Sequence, residues 1–225
     1  MTFSIVGRCA RTGMFGVAIT TSSICVGARC PHVRAGVGAV ATQNITDPHL
    51  ATLVLDAMAV GQGASGAIAS VVKNRENISY RQLTAVDACG TTAHFTGANI
   101  LGSHAVSEAA DCVAAGNLLS STAVAKAISD GFGVDPSAHL AERLLQAIEA
   151  GVSAGGEEGP VHSAALLVGD KMPFPLVDLR VDWAEINPIG TLRSLWQDYA
   201  PQMDDYLNRA VDPKAAPSYG VAGNL

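Results

Sequence analysis

The sequence predicts an α+β fold built from antiparallel sheets, and three observations carry that expectation. Short β-rich runs come in pairs separated by turn residues. Helical runs come two at a time between those pairs. Apolar residues fill 48% of the 225 positions against 15% charged, which excludes a disordered chain. Hairpin-linked strands pair antiparallel and leave their helices gathered on one side of a sheet. Two such sheets stacked face to face would bury the apolar strands and leave a helical layer outside each.

In chain order, residues 2–9 are β-rich, residues 10–13 form a turn ending on Gly13, and residues 15–22 are a second run with Val17, Ile19, Thr20 and Thr21 β-branched. A third strand is expected at 37–43. Asp47-Pro48 supplies an N-cap and a first-turn proline, after which Leu50, Leu53, Val54, Ala57 and Met58 recur at helical spacing. Residues 64–73 make a partner helix. Residues 82–87 and 91–96 read as a hairpin through Gly90, and 111–118 as a further strand. Helices are expected at 121–129 and 138–150, followed by a mobile glycine-rich loop at 151–159. Strands at 163–168 and 176–183 precede a last helix at about 189–209, which Pro201 is placed to kink or divide. The whole, 1–225, reads as one domain with a loosely ordered tail from about residue 213.

The bulk numbers narrow the function. Fourteen Lys and Arg against 20 Asp and Glu leave a net charge of −6, with no basic cluster to hold a phosphate backbone, so no nucleic-acid partner is expected. The five cysteines, Cys9, Cys25, Cys30, Cys89 and Cys112, are odd in number and lack CxxC spacing. That argues against zinc and against a disulfide framework, and fits a reducing cytoplasm. Cys25 and Cys30 flank a loop where one thiol is a candidate for reactivity, beside the plainer reading of both as small buried groups. The histidines show no HxH or HExxH spacing, so no metal or other cofactor is expected. No apolar run reaches the roughly 18 residues of a membrane helix, and residues 1–6 are too short for a signal-peptide core. The N-terminus is therefore expected to survive, apart from the initiator methionine.

That terminus is the first chemical candidate. Removing Met1 would leave Thr2 with a hydroxyl nucleophile and, in the same residue, an α-amine to take its proton. Such an amine titrates ordinarily at about 7.7–8.0, close to where a general base works at neutral pH. Met-Thr alone is a weak motif, because many proteins begin that way.

Further runs give it weight. Residues 2–8 (TFSIVGR), 16–19 (GVAI), 26–28 (VGA), 35–43 (AGVGAVATQ), 115–119 (AGNLL), 140–145 (LAERLL), 154–156 (AGG), 163–168 (SAALLV) and 177–182 (VDLRVD) stand in one characteristic order. Over roughly residues 2–200 the chain resembles the DUF1028 family, a branch of the N-terminal-nucleophile (Ntn) hydrolase superfamily. The resemblance implies a four-layer αββα sandwich and Thr2 as the nucleophile after Met1 is removed. It also implies cleavage of amide bonds, without naming a substrate.

Other roles are suggested by position. Asn117, beside Gly116, is a candidate oxyanion donor, the glycine allowing backbone and substrate to approach. Ser22 and Thr42, at strand ends, and Ser163, opening the SAALLV strand, are candidate pocket residues. Asp178, Arg180 and Asp182 alternate on one strand face, where they would orient a charged substrate or form a structural ion-paired row. The chain departs from the family at Pro31-His32 and across 157–162 (EEGPVH), which makes His32 and His162 candidate substrate contacts. The expected function is an amidohydrolase acting on a small-molecule substrate, as a homo-oligomer. A deaminase or imine hydrolase on the same scaffold, and a non-catalytic binding module, are the alternatives.

Overall fold

In the first strand, Thr2, Ser4 and Val6 point to one face and Phe3 and Ile5 to the other, and all five are buried. A strand buried on both faces belongs at the centre of a stack. The computed structural model, which describes residues 1–218 and 220, places it there.

In chain order the strands are β1 (Thr2–Arg8), β2 (Phe15–Thr21), β3 (Pro31–Arg34), β4 (Gly38–Asn44), β5 (Arg81–Asp87), β6 (Thr92–Thr96), β7 (Ala105–Ala109), β8 (Cys112–Asn117), β9 (Ser163–Gly169) and β10 (Val177–Val181). The helices are α1 (Pro48–Ala59), α2 (Ala64–Val72), α3 (Ala123–Phe132), α4 (Leu140–Ser153), α5 (Pro188–Tyr199) and α6 (Met203–Val211). One sheet runs β10-β9-β2-β1-β8-β7 and the other β3-β4-β5-β6. Every pairing between these strands is antiparallel.

Three apolar clusters mark the layers. Val6, Val17, Ile19 and Ala165 of the first sheet meet Ala39, Ala41 and Val86 of the second. Phe3, Ile5, Ala114 and Leu166 face the opposite way, onto Ile128 and Phe132 of α3, Leu144 and Ile148 of α4, and Leu192 and Trp196 of α5. Val40, Leu83 and Ala85 of the second sheet face Leu50 and Val54 of α1 and Ala67 and Ile68 of α2. The molecule is an αββα sandwich.

The capping expectation for α1 holds: Asp47 accepts a hydrogen bond from the His49 N–H at 3.1 Å, and Pro48 is the first helical residue. Asn187 and Pro188 start α5 in the same way. Two strands, β3 and β7, lie outside the sequence expectation. Each is an edge strand, half-buried or exposed along much of its length, so neither needs an apolar alternation. The last helix is divided: a 3-10 turn over Ala200–Gln202 separates α5 from α6 where Pro201 lacks its N–H. Residues 151–159 differ from the expected mobile loop. α4 continues through Ser153, and backbone bonds tie residues 155–158 back to α4 and to the segment after β8. The expected loose tail falls partly on 219 and 221–225, outside the described residues. Among those described, the Ala215 N–H bonds back to Asp212.

All five cysteines are free; burial pushes the Cys30 thiol up, and Cys25 is half-buried in a left-handed conformation. Among the described residues, no helix is long and apolar enough to cross a membrane.

Gly7 is one of the glycines that set how close the helices come to the first sheet. A Cβ on Gly7 would stand 2.7 Å from the Phe132 ring and 3.4 Å from Leu144. Gly7→Ala is expected to destabilise the protein by about 1–3 kcal/mol through overpacking. In denaturant titration, Phe132→Leu added to Gly7→Ala should cost less than the sum of the two single changes, because both act on one contact.

Candidate active site

β1 is hydrogen-bonded on both sides, and its register sets Thr2 in a row. Thr2 lies opposite Asn117 of β8 on one side and Thr21 of β2 on the other; Thr21 in turn lies opposite Ser163 of β9. With a side-chain period of two, Asn117, Thr2, Thr21 and Ser163 all point between the sheets. Thr2 is buried, at 6% exposure. Its Oγ1 donates to the Met1 carbonyl at 2.5 Å and lies 3.0 Å from the Thr21 Oγ1. Thr21 Oγ1 also donates to the Met1 carbonyl.

Beneath this row the gap between the sheets is polar. Ser4 Oγ donates to Gln43 Oε1 at 2.6 Å, Gln43 Nε2 to Gln82 Oε1 at 2.8 Å, and Asn117 Nδ2 to the same Oε1 at 3.3 Å. Gln82 Nε2 reaches the Gly116 carbonyl at 3.4 Å. Asn117 is fully buried, and its Oδ1 has no hydrogen-bond partner. Its amide keeps a second N–H beyond the one given to Gln82.

Glu157 closes the same end of the sheet. Gly155 and Gly156, at φ of 114° and 59°, turn the chain where an L side chain would be strained. The residues beyond this turn are pinned to the exit of β8. The Ser120 N–H donates to the Gly156 carbonyl at 3.0 Å, and the Glu158 N–H to the Leu118 carbonyl at 3.0 Å. Glu157 itself bridges Leu119. Its exposure is 7%, and neither carboxyl oxygen completes a hydrogen bond. Loss of solvent pushes the carboxyl up to about 8; the Met1 amino group and the Ser22 backbone N–H pull it back only in part. Gly159 lies against Met1, whose Cε would stand 3.0 Å from a Cβ there.

The other sequence candidates divide by strand face. Ser163 is near Thr2 in the register, but its hydroxyl is occupied, donating to the Ser23 carbonyl at 2.6 Å and accepting from the Val26 N–H at 3.2 Å. Ser22 lies at the end of β2, its N–H turned toward Glu157. His162 sits at the same end, where its N–H donates to the Thr21 carbonyl at 2.8 Å and its ring stacks on Trp183 at 4.4 Å. Thr42 and His32 face away from the inter-sheet gap, toward the helical layer over the second sheet. Thr42 Oγ1 donates to the Asp47 carbonyl at 3.3 Å, and His32 pairs in register with outward-facing Val40. Asp178 and Arg180 are on β10, three strands from β1, or about 14 Å at the usual strand spacing. They form a bidentate pair with each other, Nε–Oδ1 2.8 Å and Nη2–Oδ2 2.9 Å. Gly116 faces the helices, and the close approach it permits is that of Leu119, whose Cδ2 would stand 2.6 Å from a Cβ. Among the described residues, no three His, Cys, Asp or Glu side chains converge as a metal site.

The family model described as a family of unknown function, DUF1028, matches residues 2–192. The chain belongs to that family. The crystal structure of a DUF1028 protein from Silicibacter pomeroyi is similar at 32% identity and TM-score 0.82, covering 88% of this chain and 89% of that one. Anbu (ancestral beta-subunit) from Yersinia bercovieri gives TM-score 0.43 at 8% identity over 90% of this chain and 96% of its own. An Anbu (Gly-1) mutant from Hyphomicrobium sp. strain MC1 gives TM-score 0.45 at 12% identity over the same shares. No curated protein matches the chain.

Sequence reasoning passed over Thr21, Gln43, Gln82 and Glu157 in this DUF1028 chain. In the structure Gly155 and Gly156 hold positive φ and turn Glu157 back into the sheet end, whereas in the sequence they read only as loop. The raised carboxyl has a pH consequence. Between about pH 4.5 and 8 the unfolded chain releases this proton while the folded chain keeps it. Stability therefore falls as pH rises through that window and is recovered as pH falls. Glu157→Gln should raise the melting temperature above the parent's at about pH 8.5, by the equivalent of a few kcal/mol, with the gap closing toward about pH 5. A gap that does not change with pH would show that the carboxyl titrates normally.

Proposed function

We propose that this DUF1028 chain is an Ntn-type hydrolase that cleaves a C–N bond of a small metabolite, with Thr2 as nucleophile once Met1 is removed. The observation that carries the reading is the position of Thr2 Oγ1. It is buried at the end of a central strand, between Thr21 and Asn117 in the sheet register.

Thr2 Oγ1 attacks the substrate carbonyl while its proton passes to the Thr2 α-amine. The second N–H of Asn117 stabilises the developing oxyanion. Collapse breaks the C–N bond, and the proton held on the α-ammonium leaves with the departing nitrogen. Water then attacks the threonyl ester, the α-amine takes its proton, and Oγ1 leaves with that proton restored. Hydrolysis of an imine or removal of an amino group belongs to the same class of C–N cleavage. We also assign the chain to the cytoplasm and to a homo-oligomer. Trp183 and Ile186, 47% and 84% exposed near His162, offer apolar surface to a second copy.

Protein isolated from its native cell should begin at Thr2 by intact mass. An acylating β-lactone should add its mass to the Thr2 peptide. Thr2→Ala should abolish turnover and labelling, and Thr2→Ser should keep both. Retained Met1, or turnover indifferent to Thr2→Ala, would leave a binding module instead. Asn117→Ala should lower kcat by about 10²–10³-fold with KM little changed.

A further inference from the structure

Met1 occupies the space that opens when Thr2 is freed, and each part of it is held. Its carbonyl oxygen takes hydrogen bonds from the hydroxyls of Thr2 and Thr21. Its thioether end lies against Gly159, where any larger residue would displace it. Its amino group is near enough to Glu157 for its charge to act on that carboxyl. An aminoacyl group thus fills the place where a substrate acyl group would present its carbonyl to Oγ1.

The wall beside it is built for an amine, which on arrival takes up the proton that burial keeps on Glu157 and so forms the ion pair there. Glu157 is more than nine-tenths buried, has only the Ser22 backbone N–H turned toward a carboxyl whose oxygens complete no hydrogen bond, and is held there by backbone bonds from 156 and 158 to the β8 exit. A buried carboxyl left unpaired lowers stability, and a chain that needed only a loop closure would be better served by an apolar residue. We propose that Glu157 is the specificity-determining residue of this site, and that the substrate is an aminoacyl amide whose free amino group, next to the scissile carbonyl, pairs with it. The proposal rests on the reading of Thr2 as nucleophile and adds the substrate class to it. Gly159 fits the same substrate: it leaves room for an unbranched apolar side chain of the length of methionine.

The test uses the full chain with Met1 removed by methionine aminopeptidase and the new terminus confirmed by mass. Binding of methioninamide is compared by calorimetry with that of its deamino analogue, 4-(methylthio)butanamide. Methioninamide should bind about 30-fold tighter, the usual scale for a buried charge pair losing one partner, and Glu157→Gln should erase the difference. Glu157→Met, which keeps the volume without the charge, should give the same result if the glutamine variant folds poorly. Equal affinities in the parent, or a preference that survives both substitutions, overturns the assignment. β-Lactone labelling of Thr2, read on the same samples, separates the two ideas. Labelling without amine preference sinks the substrate class alone. Amine preference without labelling keeps the cation site and sinks the nucleophile.

Discussion

Ser4, Gln43, Gln82 and Asn117 form a run of buried side-chain hydrogen bonds that crosses from one sheet to the other under Thr2. Elsewhere the gap between the sheets is filled by Val6, Val17, Ile19, Ala39, Ala41 and Val86, which pack but carry no direction. The amides do. Gln43 and Gln82 are oriented by their neighbours, and Asn117 by the bond its Nδ2 donates to Gln82 Oε1. A buried network of this kind is worth having only when its members are satisfied. This one leaves a single oxygen, Asn117 Oδ1, without a donor, and it does so beside the residue proposed to react. The rest of the site hangs on that arrangement: the register of β1 with β2 and β8 sets where Thr2 stands, and the seam sets what faces it.

Much of the fold was legible because helices and hairpins announce themselves locally. Asp47-Pro48, the 82–96 hairpin and the spacing of Leu140, Leu144, Leu145 and Ile148 all read correctly from a few neighbouring residues. Strand phase was not legible. In β4 every residue from Gly38 to Gln43 is buried, so there is no apolar-polar alternation to say which of Thr42 and Gln43 faces the other sheet. A shift of one residue exchanges the faces, and it is Gln43 that reaches the site while Thr42 bonds to Asp47 near the start of α1. The same reason hid Gln82. Asp178 and Arg180 show the converse: their shared face was legible, but strand order, which puts β10 at the sheet edge, was not.

Glu157 was hidden for a different reason. No period marks it, and Gly155-Gly156 ahead of it reads as loop. Its burial depends on contacts with the 118–120 segment, nearly forty residues earlier in the chain. Leu118 contributes by holding a left-handed backbone, φ 50°, a conformation that costs a non-glycine residue about a kcal/mol or more. A strained leucine, two left-handed glycines and a buried carboxyl that completes no hydrogen bond therefore meet at one end of the sheet. Each taken singly is an ordinary imperfection. Together they are expensive, and all of them lie at the end of the sheet where Thr2, Thr21 and Asn117 converge. Stability alone would favour an apolar residue at 157 and a glycine at 118. That the chain has neither, at the mouth of the row that sets Thr2 between Thr21 and Asn117, is the physical reason to propose this end of the sandwich as the working end.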